Sequence, residues 1–216
     1  MESLHKISSL HYLTQDMEGA SHVKQVETAC MEGLKWIQLR IKTISNNKLA
    51  IAKKSKAICA IYGAKLIIND DVELAKEIKA EGVHLGKKDM EIEKARAILG
   101  NESIIGATAN TFSDILNLSS KHIDYIGLGP YKYTETKPNL SPIIGLEGYK
   151  KIMHQIKQHK SIQSPIIAIG GVSLTDIDTL MATGIHGIAV SSAINKAEKK
   201  EKAINELITQ INEYIN

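Results

Sequence analysis

The sequence predicts an α/β fold, a TIM-type (β/α)8 barrel, on three observations: eight short apolar runs, an amphipathic stretch after each, and even spacing between them. The apolar runs are SLHYLT (9–14), WIQLRI (36–41), AKLIIN (64–69), GVHLG (82–86), SIIGATA (103–109), YIGLG (125–129), PIIAIGG (165–171) and HGIAVSS (186–192). Helical spacing of apolar residues, as in Ile152 and Ile156 or Ile177, Leu180 and Met181, places helices at about 20–32, 47–61, 71–80, 91–99, 112–120, 147–159, 174–182 and 198–213. Eight units in 216 residues leave about 27 residues each, the compact end for such a barrel, so one domain over 1–216 is expected. A doubly wound open sheet competes. Its first turn usually carries G-x-G-x-x-G, however, and TQDMEGA does not.

Helix punctuation supports these boundaries. Asp70 or Asp71, Thr111 or Ser113, and Ser173 with Asp176 three residues on are suited to capping helix N-termini. Gly33, Gly82, Gly100 and Gly184 fall just past helix ends, where left-handed backbone is wanted. Aromatic residues are scarce, with Trp36 and Phe112 the single members of their types. The core must therefore be built from Ile, Leu, Val and Ala, as buried parallel strands require.

Charge excludes some partners. A net +3 from 27 basic and 24 acidic residues is too mild to imply nucleic acid or membrane. No apolar run approaches a spanning helix, and MESLHKISSLHYLTQ lacks an apolar signal region, so a cytoplasmic location is expected. Cys30 and Cys59 lie in helical segments without metal-ligand spacing and are expected to be buried. Nothing in the sequence sets an oligomeric state.

Three groups of residues carry chemistry. In Gln38-Leu39-Arg40-Ile41-Lys42 the strand period of two sends Gln38, Arg40 and Lys42 one way and Leu39 and Ile41 the other. With the apolar pair against the helices, an amide and two cations face the barrel mouth, where Arg and Lys suit an anionic, phosphate-bearing ligand. Asp70 and Asp89 follow adjacent strands, so their carboxylates can converge beside those cations. One or two carboxylates with substrate phosphates is how Mg2+ is commonly held. Asp71 is read as a cap. Gly170-Gly171 after the seventh strand and Ser191-Ser192 after the eighth occupy the places where many barrels bind phosphate. The long loop from Gly129 to Gly145, polar and proline-containing, lies on the same face and has the character of a binding loop. Two anion sites, one with a metal, suggest a two-substrate reaction.

The motifs Q-L-R-I-K (38–42), I-I-N-D-D (67–71), G-V-H-L-G-K-K-D (82–89), G-L-G-P (127–130) with T-E-T-K (134–137), A-I-G-G-V (168–172) and A-V-S-S-A-I (189–194) together resemble the thiamine-phosphate synthase family across nearly the whole barrel. That family joins hydroxymethylpyrimidine diphosphate to a thiazole phosphate carboxylate, giving thiamine phosphate, diphosphate and CO2. The resemblance implies that Gln38, Arg40, Lys42, Asn69, Thr108 and Lys137 contact the pyrimidine diphosphate, with Arg40, Lys42 and Lys137 acting on the leaving group. It implies Asp70 and Asp89 as Mg2+ ligands. It gives Thr134, Thr136, Gly170, Gly171, Ser191 and Ser192 to the thiazole phosphate. Where many members carry Ser-Ala-His-Thr, this chain has Thr108-Ala109-Asn110-Thr111, and Lys87 stands where Gln is frequent. His5, His11, His22 and His84 receive no role, His84 being expected as a hydrogen-bonded interior residue.

Three alternatives are distinguishable. A thiazole tautomerase on a similar barrel has no use for Lys42, Asp70, Asp89 and Lys137 together. A barrel acting on a sugar or indole phosphate would explain the last two phosphate loops but not T-E-T-K. A non-catalytic phosphate-binding barrel would have no need of a complete set of metal and anion ligands.

Overall fold

The structure, a computed structural model, describes residues 7–43, 46–135, 141–159 and 161–214. Its strands are β1 (Leu10–Leu13), β2 (Trp36–Leu39), β3 (Lys65–Asn69), β4 (Gly82–Leu85), β5 (Ile104–Ala109), β6 (Tyr125–Leu128), β7 (Ile166–Ile169) and β8 (Gly187–Val190). The helices are α1 (His22–Met31), α2 (Lys48–Ile61), α3 (Val72–Glu77), α4 (Ile92–Leu99), α5 (Phe112–Ser119), α6 (Gly145–Gln158), α7 (Ile177–Met181), α8 (Ser192–Asn195) and α9 (Lys200–Asn212). Each strand pairs in parallel with the next, and β1 pairs with β8 through Leu10↔Ile188, His11↔Ala189 and Tyr12↔Val190. The sheet is therefore a closed eight-stranded barrel, as the sequence predicts.

The period of two sorts every strand. Ile37 and Leu39, Leu66 and Ile68, Ile105 and Ala107, and Ile188 and Val190 join the outer core beneath the helices. Trp36, Ile67, Ile104, Tyr125, Ile167 and Ala189, in the alternate register, form a separate inner core. Rings fill much of that bore: His11 stacks on Trp36 at 4.3 Å between centroids, and Tyr125 stands edge-on to both at 5.1 and 5.6 Å. Glycines make the room. A Cβ on Gly106 would lie 2.1 Å from the Tyr125 ring, and one on Gly127 would lie 2.9 Å from that of His84.

Local chemistry explains the boundaries. Asp71 caps α3, its carboxylate accepting from the Leu74 N–H at 3.0 Å. Thr111 and Asp114 form a reciprocal capping box at α5, and Asp176 accepts from the Ser173 N–H at 3.0 Å. Gly33, Gly100 and Gly184 have positive φ after their helices. Gly82 does not, which corrects the sequence expectation: the left-handed residue after α3 is Lys79, at φ 53°. Gly82 instead opens β4, where a Cβ would lie 2.1 Å from the Ile104 carbonyl oxygen. The seventh helix begins as a 3-10 turn over Leu174–Asp176. The short helix α8, directly after β8, has too few residues to show a period in the sequence. Cys30 and Cys59 are buried and free, their sulfurs 4.0 Å apart between α1 and α2. Among the described residues no helix is long and apolar enough to cross a membrane.

The packing of the bore makes two stability effects measurable. Gly82→Ala forces the β4–β5 backbones apart and should cost about 1–3 kcal/mol, read as a lower urea midpoint at unchanged m-value. Burial in the bore holds the His11 imidazole well below its usual pKa, and the nearby His84 and His186 push the same way. Unfolded histidine titrates near pH 6.5, so His11 contributes its full stability above that pH and loses it as pH falls below. The urea midpoint should fall between pH 8 and pH 5 more steeply for the natural protein than for His11→Gln. Equal slopes would assign the pH dependence elsewhere.

Candidate active site

Six of the predicted residues, Gln38, Arg40, Lys42, Asn69, Asp70 and Asp89, meet where β2, β3 and β4 end. Gln38, buried on the inner face of β2, donates through Nε2 to Asn69 Oδ1 at 2.8 Å. Arg40 lies just past the strand in the same register. Burial lowers its pKa while Asp70 and Asp16 oppose the shift, and a guanidinium stays charged under either influence. Lys42, farther out and half exposed, forms an ion pair with Asp70. Both cations thus lie beside carboxylates, Arg40 near Asp70 and Asp16 and Lys42 paired with Asp70.

Asp70 adopts φ 66°, a left-handed conformation that Asp tolerates better than most residues. Its N–H donates to the His84 carbonyl at 2.9 Å, so the turn is fixed by β4. Asp89 is aimed by the Gly86 N–H, which donates to its Oδ2 at 2.7 Å; a Cβ on Gly86 would lie 2.9 Å from that oxygen. The Asp70 and Asp89 carboxyls lie close enough to influence each other's protonation. Burial would raise Asp70, but Lys42 and Asp89 outweigh it and hold the group below its usual value. Burial and the Asp70 charge both raise Asp89. The two carboxyls are therefore pushed in opposite directions, Asp70 down and Asp89 up.

Thr108, on the inner face of β5, shares a 3.0 Å hydrogen bond with His84 Nε2, whose Nδ1 meets the Tyr125 hydroxyl at 3.0 Å. His84 is thus the bonded interior histidine expected. Asn110 serves the scaffold, since its Nδ2 donates to the Gly129 carbonyl at 2.5 Å and ties the β5 and β6 loops together. Lys87 pairs with Asp114 at 2.6 Å.

Across the mouth, the segment after β6 is stitched to the end of β7. The N–H groups of Tyr131 and Lys132 donate to the carbonyls of Ile169 and Gly170 at 2.9 and 2.8 Å, and Lys132 pairs with Asp176 at 2.5 Å. Gly170 and Gly171 have φ 90° and 73°, and a Cβ on Gly171 would lie 2.7 Å from the Tyr133 carbonyl oxygen. Both glycines are thus required by the loop packed on them, whatever ligand they also meet. That loop brings Thr134 to a cleft of about 200 Å3 lined by Tyr133, Thr134, Glu135, Ser192 and Lys196. Lys196 pairs with Glu135 across it at 2.9 Å. The Ser191 hydroxyl turns away, donating to the Leu13 carbonyl at 2.9 Å. Thr136 and Lys137 lie outside the described residues. Lys132, its partner Asp176 and Lys196 give no signal of this arrangement in the sequence, because single charges in loops show no period and their pairs join distant segments.

The same geometry has relatives among known proteins. The family described as thiamine monophosphate synthase matches residues 10–194. The chain is 46% identical over 201 residues to the thiamine-phosphate synthase of Flavobacterium johnsoniae, covering 93% of this chain and 94% of that one. It is likewise 46% identical over 190 residues to the enzyme of that name from Bacteroides fragilis, covering 88% and 93%. Among solved structures, a thiamine phosphate pyrophosphorylase from Pyrococcus furiosus superposes with TM-score 0.83 at 33% identity, covering 96% of this chain and 97% of that one. The chain belongs to the thiamine monophosphate synthase family.

Proposed function

We propose that this protein is a thiamine-phosphate synthase, coupling a pyrimidine diphosphate to a thiazole phosphate at the barrel mouth. The observation that carries the assignment beyond family membership is the charge cluster of Arg40, Lys42, Asp70 and Asp89 at the ends of β2 to β4, opposite the Thr134–Ser192 cleft. Two differently built polar sites on one mouth suit two different phosphorylated substrates.

The reaction needs the bond between the pyrimidine methylene carbon and the diphosphate oxygen to break, its electron pair leaving with diphosphate. The thiazole nitrogen lone pair then forms the new C–N bond. Little acid–base help is required. The site must instead stabilise charge on the leaving group and hold the nucleophile close to the carbon. Arg40 presents a planar fork to phosphate oxygens, and Lys42 a point charge. Lys42 pairs with Asp70, and a partly exposed pair of this kind costs little to rearrange. Gln38 and Asn69, locked to each other, offer fixed amide groups to the pyrimidine. Thr108 borders the same inner face, and Lys137 is assigned to the diphosphate. Thr134, Thr136, the Gly170-Gly171 turn and the backbone of Ser191 and Ser192 are assigned to the thiazole phosphate.

The residues fit Mg2+. Asp70 and Asp89 are neighbouring carboxyls, the charge of one raising the other, and such a pair is a donor set that a divalent ion would relieve. Among the described residues no three of His, Cys, Asp and Glu assemble into a metal cage. Mg2+ usually takes one or two carboxylates and completes its shell with water and substrate phosphate, so Asp70 and Asp89 would suffice to hold it. When bound by Asp70 and Asp89, it would supply positive charge to the diphosphate oxygens.

Incubation of the purified protein with both substrates and Mg2+ should yield thiamine phosphate and diphosphate. Conversion of a thiazole carboxylate to its tautomer without coupling would replace this assignment by tautomerase. The metal has an independent readout. With inorganic diphosphate present, Mg2+ should raise the melting temperature of the natural protein, and Asp70→Ala and Asp89→Ala should each abolish that rise. Turnover that persists in both variants or in EDTA removes the metal assignment.

The leaving-group clamp is tested separately. Lys137→Ala should lower kcat by about two to three decades, the scale of one preorganised donor, with little effect on the thiazole KM. Arg40→Lys keeps the charge but loses the fork and should remain impaired. Thr134→Val should act chiefly on the thiazole KM. A silent Lys137→Ala would remove that residue from the chemistry.

A further inference from the structure

His22, to which the sequence assigns no role, sits at the centre of a hydrogen-bonded set on the β1–α1 connection. Its Nε2 lies 2.8 Å from Asp16 Oδ1, and its Nδ1 lies 2.8 Å from Thr14 Oγ1. Both partners reach across to the loop after β2. Thr14 Oγ1 accepts from the Arg40 N–H at 3.0 Å. Asp16 Oδ2 accepts from the N–H groups of Lys42 at 2.9 Å and Thr43 at 3.1 Å. Three of the four backbone N–H groups from Arg40 to Thr43 are therefore held by two side chains, and one imidazole joins those side chains to each other.

We infer that Thr14, Asp16 and His22 are positioning residues, a brace that sets the backbone from which Arg40 and Lys42 reach the diphosphate. Beyond β2, which ends at Leu39, no strand pairing constrains this segment. The chain must still direct two long cationic side chains to one anion. The brace supplies that constraint from a rigid source: Thr14 and His22 are buried, and His22 is the first residue of α1, whose N-terminus Ser21 caps. The donor and acceptor roles close consistently when the His22 Nε2 carries a proton. Nε2–H donates to Asp16, Nδ1 accepts from the Thr14 hydroxyl, and the Thr14 oxygen remains free to accept from Arg40. Burial would raise the Asp16 carboxyl, but His22 and the two backbone donors outweigh it and hold it below its usual value, the condition for strong charge-assisted bonds. Misplacing a catalytic group by about 1 Å can cost about a hundredfold in rate, so a brace remote from the substrates can govern turnover.

This inference rests on the diphosphate role of Arg40 proposed above, and the test separates the two. Steady-state coupling is measured with each substrate varied in turn, for Asp16→Ala, Asp16→Asn, Thr14→Val, Arg40→Ala and the double variant Asp16→Ala/Arg40→Ala. Asp16→Ala should lower kcat/KM for the pyrimidine diphosphate by about ten- to a hundredfold while the thiazole phosphate KM stays within about twofold. Asp16→Asn should recover most of that loss, because an amide oxygen still accepts from the Lys42 and Thr43 N–H groups. In the Arg40→Ala background, loss of Asp16 should cost less than it does alone. If Asp16→Ala does not fold, Thr14→Val decides by the same selective loss. The brace is overturned if the folded variants keep the natural kcat/KM, or if both substrates lose equally with no rescue by Asn. If Arg40→Ala is itself silent toward the pyrimidine diphosphate, the clamp falls and the brace with it; if Arg40→Ala is impaired and Asp16→Ala is not, the brace alone falls.

Discussion

The bore of a closed eight-stranded barrel has a fixed capacity, and filling it without voids or overlap is the constraint on which the rest of this molecule depends. Interiors pack near crystal density, so the inward positions cannot all be large. Here the load is carried by Trp36, Tyr125, His11 and His84, and the space they need is left by Gly106 and Gly127. This pairing of rings with glycines locks the register of β4, β5 and β6, since a slip of one residue would exchange inward and outward faces. The same register decides which side chains emerge at the mouth. Gln38 follows Trp36 by one period, Asn69 follows Ile67, and Thr108 follows Gly106. The layer that carries these candidate site residues is the top layer of the packed core.

Above that layer the constraint changes from volume to charge. Buried or half-buried carboxyls and cations must find partners, and here they find each other: Lys42 with Asp70 and Lys132 with Asp176. The two sides of the mouth are built differently. The β2–β4 side is assembled from strand ends and tight turns, including the left-handed Asp70, whereas the β6–β8 side is a loop laid over glycines. A rigid charged site facing a loop-built cleft matches a reaction in which one substrate must ionise and the other must only be held in place.

Much of this is legible in the sequence, for identifiable reasons. All eight strands are visible because β-branched and apolar residues recur in short runs separated by turn residues, and parallel barrel strands are buried on both faces. The inward direction of Gln38 and Arg40 follows from the period of two, and Asp71 as a cap follows from its place before Val72. Gly82 misleads because a glycine past a helix satisfies two different needs. Only the structure shows that the clash with Ile104, and not a left-handed turn, requires it. The Asp16, His22 and Thr14 set is illegible because the bonds by which it holds the β2 loop cross more than twenty positions of sequence. Helix α8 escapes because four residues cannot display a helical repeat.

The seam between β1 and β8 joins residues at opposite ends of the barrel sequence. Tyr12 hydrogen-bonds Asn195 at 2.5 Å, the Ser191 hydroxyl reaches Leu13, and Leu10 pairs with Ile188. On the ribosome, where about 5–20 residues are added each second, β1 emerges roughly ten seconds or more before β8 exists. Throughout that interval one edge of β1 has unpaired N–H and C=O groups, and its outer-face Leu10 and Tyr12 lack their final neighbours. Such an edge is a template for pairing with another chain. The closed barrel hides this hazard completely once formed, so the vulnerable species is the nascent chain, and its exposure is set by translation speed and not by the stability of the finished fold.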